Sequence, residues 1–150
     1  MPKPVRVAVI SGSLRRDSYN TRLARAVAAA MRADGAEIDE ISLLDLDLPV
    51  LNEDREREQG HPPAVLELKR RMIEADALLF ASPEYNGSLT GALKNAIDWA
   101  SRPREGEAPL ACFKGKVTGL LSASPGKLGG LRGLRHLRLI LNQVGALVLP

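Results

Sequence analysis

Residues 77–91 read ALLFASPEYNGSLTG. Ala77 to Ala81 is a short, wholly apolar run, which predicts a strand buried on both faces. Ser82 to Ser88 follow as a polar turn, where Pro83 stiffens the backbone and Asn86-Gly87 is a turn dipeptide. Leu89 to Ala100 then reads as a helix. A strand that leaves through a polar turn into a helix is the start of a βαβ unit. In an open α/β sheet, the crevice beyond such a strand end is where ligands bind.

Two more stretches have the same form. Val5 to Ile10 reads as a strand and is followed by the polar stretch Ser11 to Asn20. Lys116 to Leu121 reads as a strand and is followed by Ser122 to Gly126, then Gly129-Gly130. Between them, Ser18 to Ala33 reads as a helix with Leu23, Val27, Ala30 and Met31 on one face. Ala36 to Leu43 reads as a polar strand suited to a sheet edge. Pro63 opens a helix with Val65, Leu68 and Met72 on one face. Leu131 to Val144 is a further helix, and Ala146 to Leu149 a fifth strand. The charge run Glu53 to Glu58 sits in the long connection 44–63 and reads as a solvated, mobile loop. The order βαβαβαβαβ predicts an α/β fold, a three-layer sandwich around a five-stranded parallel sheet in the order 2-1-3-4-5. A resemblance to a known family, carried by motifs at 12–20, 82–103 and 122–138, implies a last helix after the fifth strand; the chain stops at Pro150, so that helix is expected to be missing and one sheet face to lack cover.

Composition limits the function classes. A chain of 150 residues, 45% apolar and 26% charged, suits one globular domain over residues 1–150. A net charge of +3 is too small an excess to argue for a nucleic-acid partner. The single cysteine, Cys112, allows no internal disulfide and no Cys-rich metal site, as expected of a reducing cytoplasm. Met1 to Pro4 leads into the first strand without an apolar signal segment, and no run is long enough for a membrane helix.

The first polar stretch has the chemistry of an anion site. Ser13, Ser18 and Asn20 offer side-chain hydrogen bonds, Arg15 and Arg16 offer charge, and the helix that follows presents free N–H groups. The same residues also make a helix cap beside two solvated arginines, and composition alone does not choose between the two. There is no G-x-G-x-x-G and no G-x-x-x-x-G-K-[ST], so neither the dinucleotide fingerprint nor a P-loop is supported. A terminal phosphate suits the stretch better than a pyrophosphate bridge. His61 and His136 lack metal-ligand spacing and read as surface residues. Glu84 reads as a solvated carboxylate, with general acid as its functional alternative. Arg132, Arg135 and Arg138 read as a solvated helix face, with recognition of the extra phosphate of NADPH, or a subunit contact, as the alternatives.

Three segments carry a resemblance: GSLRRDSYN at 12–20, SPEYNGSLTGALKNAIDWASRP at 82–103 and SASPGKLGGLRGLRHLR at 122–138. Through them the chain resembles the NADPH-dependent FMN reductase family, which has a flavodoxin-like fold and includes quinone, azo and chromate reductases. The resemblance implies an FMN-bound oxidoreductase that takes electrons from NADPH or NADH and passes them to a small acceptor: a quinone, free flavin, azo compound or metal oxyanion. It implies FMN-binding roles for Ser13, Arg15, Ser18, Tyr19, Asn20, Pro83, Glu84, Tyr85, Asn86, Gly87 and Ser124. It assigns no catalytic side chain, since the flavin carries the chemistry, and no metal. Lys94, Asn95, Asp98 and Trp99 also match, inside a helix, where packing or subunit contact is expected. The family commonly forms homodimers or homotetramers. The alternative is an electron carrier of the same fold without a substrate of its own. Such carriers are typically acidic and sandwich the flavin between aromatics, whereas this chain is mildly basic and only 3% aromatic.

Overall fold

The computed structural model describes residues 3–150; Met1 and Pro2, and with them the start of the N-terminal segment, lie outside the described residues. The strands are β1 (Arg6–Ser11), β2 (Glu37–Ser42), β3 (Ala77–Ala81), β4 (Val117–Leu121) and β5 (Leu147–Val148), all parallel, in the order β2-β1-β3-β4-β5. The helices are α1 (Tyr19–Ala33), α2 (Leu43–Leu46), α3 (Glu53–Gln59), α4 (Pro63–Glu74), α5 (Gly91–Ser101) and α6 (Leu131–Gln143). The flavodoxin-like architecture and strand order are those expected from the sequence.

Alternation along the strands divides the core between the two sheet faces. On one face, Ala8, Ile10, Leu78 and Phe80 pack with Leu68 and Met72 of α4, Leu93 and Ile97 of α5, and Leu137 and Leu141 of α6. On the other, Val7, Val9, Leu79 and Ala81 meet Ala24 and Ala28 of α1. Each fully buried Leu, Ile or Phe contributes about 1.5–3 kcal/mol, so both faces hold the sheet. The buried stripe of α1 runs Asn20, Ala24, Ala28, with Val27 and Met31 beside it; Ala30 is exposed. The expected stripe through Leu23 and Ala30 was displaced because small residues let α1 sit close to the strands. Farther along this face, Val117, Leu147 and Leu149 are exposed.

The long connection is ordered where a solvated loop was expected. Asn52 caps α3, accepting from the N–H groups of Asp54 and Arg55, and three acidic residues occupy its first turn. Arg102 clamps it from α5, donating to both carboxylate oxygens of Glu56 (2.8 and 3.0 Å). Asn95 and Trp99 hold the same connection: the Trp99 indole donates to the Pro49 carbonyl (2.7 Å), as does the Asn95 amide (2.9 Å). Their motif match is thus explained by packing within the chain. His61 is not a surface residue either. Its side chain is only 10% exposed and stands against Trp99, where burial first, and Lys69 second, hold its imidazole below the ordinary value.

Candidate functional site

The turns after β1, β3 and β4 emerge at the same sheet edge because these strands are adjacent and parallel. The winding also reverses at β1, with β2 on one side and β3 on the other, which opens a crevice there. The three turns are fastened to one another. Thr90, the N-cap of α5, donates its hydroxyl to the Gly12 carbonyl. Ser122 Oγ donates to the Ser82 carbonyl (2.7 Å). Asn20 Nδ2 donates to the Ala123 carbonyl (2.9 Å), and the Ala123 N–H returns a bond to Asn20 Oδ1 (2.8 Å).

Within this frame all the residues given FMN-binding roles by the resemblance, except Asn86 and Gly87, line one cavity of about 100 Å³, together with Ala123 and Pro125, while Arg16 lies outside it. At about 30 Å³ per water, that is room for a phosphate group but not for a whole cofactor. Ser13 and Ser18 are buried in its wall. Ser18 Oγ accepts from the Asn20 N–H (3.2 Å) and Ser13 Oγ from the Arg15 N–H (3.2 Å), which leaves each hydroxyl its proton to donate. Arg15 and Arg16 are exposed, and among the described residues neither has an ion-pair partner. Tyr19 and Tyr85 stand at the mouth, 61% and 51% exposed. Asn86 and Gly87 form the tip of a two-residue hairpin. Tyr85 N–H donates to Ser88 O (2.9 Å) and Ser88 N–H to Tyr85 O (3.1 Å). Both tip residues have positive φ, 53° and 75°, as a type I′ turn requires.

Two assignments change with the structure. The Asn20 side chain is engaged with Ala123 through one N–H and its oxygen, so it shapes the cavity and has one amide N–H left for a ligand. Glu84 is not solvated: its side chain is 9% exposed and reaches α6. Its carboxylate accepts from the Gly133 N–H (3.0 Å) and from Arg132 Nε (3.1 Å). Gly130 occupies the N-cap of α6 with no side-chain oxygen, so Glu84 does the capping from the second loop. A helix start at a Gly-Gly pair was the available signal that the cap must come from elsewhere. The Gly133 N–H first, and Arg132 after it, hold the Glu84 carboxyl below the ordinary carboxylate range against the opposing push of burial.

A depressed carboxyl stabilises the fold above its unfolded-state pKa, and that stability is lost as pH falls through the folded value. Glu84→Gln is therefore expected to melt below the wild type at neutral pH. The gap should close once pH falls beneath about 4.5, as read by thermal unfolding across pH. A gap independent of pH would mean that the carboxylate charge contributes nothing.

Among the described residues no cluster of His, Cys, Asp and Glu could hold a metal, and no helix is long and apolar enough to cross a membrane. Burial pushes the Cys112 thiol up to about 12, so it is no nucleophile near neutral pH.

Residues 5–150 match the family described as NADPH-dependent FMN reductase. A probable NADPH:quinone oxidoreductase from Oryza sativa subsp. japonica is 46% identical over 139 residues, covering 91% of this chain and 64% of the relative. An NAD(P)H-dependent FMN reductase from Pseudomonas aeruginosa is 45% identical over 139 residues, covering 92% and 70%. The chain spans about two thirds of the length of several such relatives. The solved structure of FerB, a flavoenzyme NAD(P)H:(acceptor) oxidoreductase from Paracoccus denitrificans, superposes with a TM-score of 0.79 at 36% identity, over 97% of this chain and 75% of that one. With the strand order, the three joined turns and the match over residues 5–150 in agreement, the chain belongs to the NADPH-dependent FMN reductase family.

Proposed function

We propose that the chain binds FMN at the crevice and serves as an NAD(P)H-dependent oxidoreductase that passes electrons to a small acceptor, a quinone foremost. The observation that carries this reading is the phosphate-sized cavity walled by Ser13 and Ser18, with Arg15 in its lining and, among the described residues, no carboxylate paired to its guanidinium. An arginine already neutralised by a carboxylate attracts an anion far less. The start of α1 adds its partial positive charge. The N–H groups of Asn86 and Gly87 take no part in the two hairpin bonds and are open to the polar edge of a ring. Tyr19 and Tyr85 supply apolar surface at the mouth. Bound there, FMN would supply the electron-transfer chemistry that no side chain of the site provides. Glu84, its carboxyl held below the ordinary range and bonded to α6, is unsuited to donate a proton. The reading includes a cytoplasmic location, a homodimer or homotetramer, and no nucleic-acid or membrane partner.

The test is the absorbance spectrum of the purified protein before and after anaerobic NADPH, then with a quinone. Flavin absorbance that NADPH bleaches and quinone restores supports the reading. Flavin that NADPH leaves unchanged points to the electron carrier instead.

Arg15→Ala is expected to weaken FMN binding by about 1.5–3 kcal/mol, the range for a hydrogen bond to a charged group, or about one to two decades in Kd. Arg16→Ala should matter less, because Arg16 does not line the phosphate-sized cavity. Titration of the apoproteins with FMN decides this; equal affinities for Arg15→Ala and the wild type would remove the phosphate assignment.

A further inference from the structure

We propose that Gly133 and His136 of α6 are positioning residues for the flavin, an inference that rests on the function proposed above. They hold the hairpin 85–88 from behind, at the setting in which its tip meets the ring. The buried stripe of α6 runs Gly133, Leu137, Leu141, the spacing of one helix face. It carries leucine where it meets the core and glycine where it meets the hairpin. A Cβ at Gly133 would stand 3.1 Å from the Ser88 carbonyl oxygen and 3.4 Å from Cβ and Cγ of Glu84. That carbonyl accepts the Tyr85 N–H (2.9 Å), one of the two bonds that close the hairpin. A glycine inside a helix costs stability relative to alanine; the close approach of the hairpin is what this glycine permits.

His136 lies one turn further along α6. It is exposed, as the sequence indicated, but its ring is engaged: Nδ1 stands 3.0 Å from Ser88 Oγ. The Glu84 carboxylate accepts from the Gly133 N–H (3.0 Å) and Arg132 Nε (3.1 Å). The start of α6 therefore grips the residue before the hairpin and the hairpin's last residue. The tip between these grips, Asn86 and Gly87, takes its setting from them. Neither Gly133 nor His136 lines the phosphate-sized cavity, so their effect on FMN passes through the hairpin. Positive φ at Asn86 and Gly87 gives the tip its shape, whereas α6 decides where that shape stands.

The test titrates the apoproteins with FMN, and records the visible spectrum of the bound flavin and the melting temperature of each apoprotein. Gly133→Ala is expected to weaken FMN binding about tenfold, as the two tip N–H groups lose their alignment, and to shift the spectrum. Its apoprotein should melt no lower than the wild type, because alanine favours the helix and the half-exposed hairpin can give way. His136→Ala is expected to weaken FMN binding about two- to tenfold, the worth of one hydrogen bond. His136→Asn, whose amide reaches the position of Nδ1, should restore it. Ser88→Ala should show the same loss as His136→Ala, and the double variant no more than either single one. Wild-type affinity and spectrum in Gly133→Ala, or in His136→Ala, overturn the role of that residue and leave the function standing. Losses from His136→Ala and Ser88→Ala that simply add overturn the bond between them as the route. If the Gly133→Ala apoprotein melts well below the wild type, the His136 variants decide alone. A wild-type apoprotein that takes up no FMN overturns the function and this inference with it.

Discussion

Gly130→Ala is expected to lower stability by about 2–5 kcal/mol and to loosen the third loop from the other two. Gly130 has φ = 87°, and a Cβ there would stand 1.9 Å from Ser122 Oγ and 2.6 Å from Ser122 Cβ. The left-handed backbone costs an alanine about 1–2 kcal/mol, and overpacking a tight contact about 1–3 kcal/mol more. Ser122 cannot simply turn aside, because its hydroxyl is bonded to the Ser82 carbonyl (2.7 Å) and ties the second loop to the third. For a domain of this size the loss corresponds to roughly 5–20 °C in Tm. Two companions separate the contributions. Gly129→Ala shares the positive φ, 57°, but meets nothing within 4 Å, so it should show the backbone part alone. Ser122→Gly in the Gly130→Ala background removes the colliding atoms and should recover part of the loss. Melting curves with Gly130→Ala no worse than Gly129→Ala would mean that the contact with Ser122 is easily relieved.

The residues at Gly130 also show where the sequence stopped being legible. The alternation of apolar strands with helices was visible because each element is decided by its own neighbours: Ala77 to Ala81 is apolar throughout, and β2 is polar enough to mark an edge. The turns were visible because Pro83, Asn86 and Gly87 signal locally. What joins the turns acts across the chain. Asn20 and Ala123 are bonded although 103 residues apart, and Glu84 caps a helix whose bonded N–H lies 49 residues further on. Neither pairing leaves a trace in local periodicity. The same holds for α3, whose charge run looks solvated until Arg102, 46 residues away, is seen to clamp Glu56. His61 looked exposed because two prolines and polar residues surround it in sequence, whereas in space Trp99 covers it. Sequence therefore located the candidate residues of the site, and the structure was needed to separate those that frame the cavity from those free to meet a ligand.

Gly87→Val is expected to leave the protein folded while removing most of its bound FMN and its NADPH oxidation. The hairpin tip needs positive φ at both residues, and Gly87 sits at 75°. Valine is β-branched, so that conformation is strained for it beyond the usual penalty of about 1–2 kcal/mol, and the bonds between Tyr85 and Ser88 should open. The strain has no path into the core: a Cβ at Gly87 meets only the Arg132 side chain, at 4.0 Å. Phe80, Leu93 and Ile97 on either side of the loop are fully buried and remain packed. Damage should stay within residues 84–88, where the free N–H groups of the tip and the ring of Tyr85 are proposed to meet the flavin. Gly87→Asn is the matched control, because asparagine visits the left-handed region at small cost; it should keep the hairpin and most of the flavin. Flavin content by absorbance and melting temperature, measured on both variants, separate a lost site from a lost fold. Full flavin occupancy and normal turnover in Gly87→Val would reduce the hairpin to a connection and move the ring site elsewhere along the crevice.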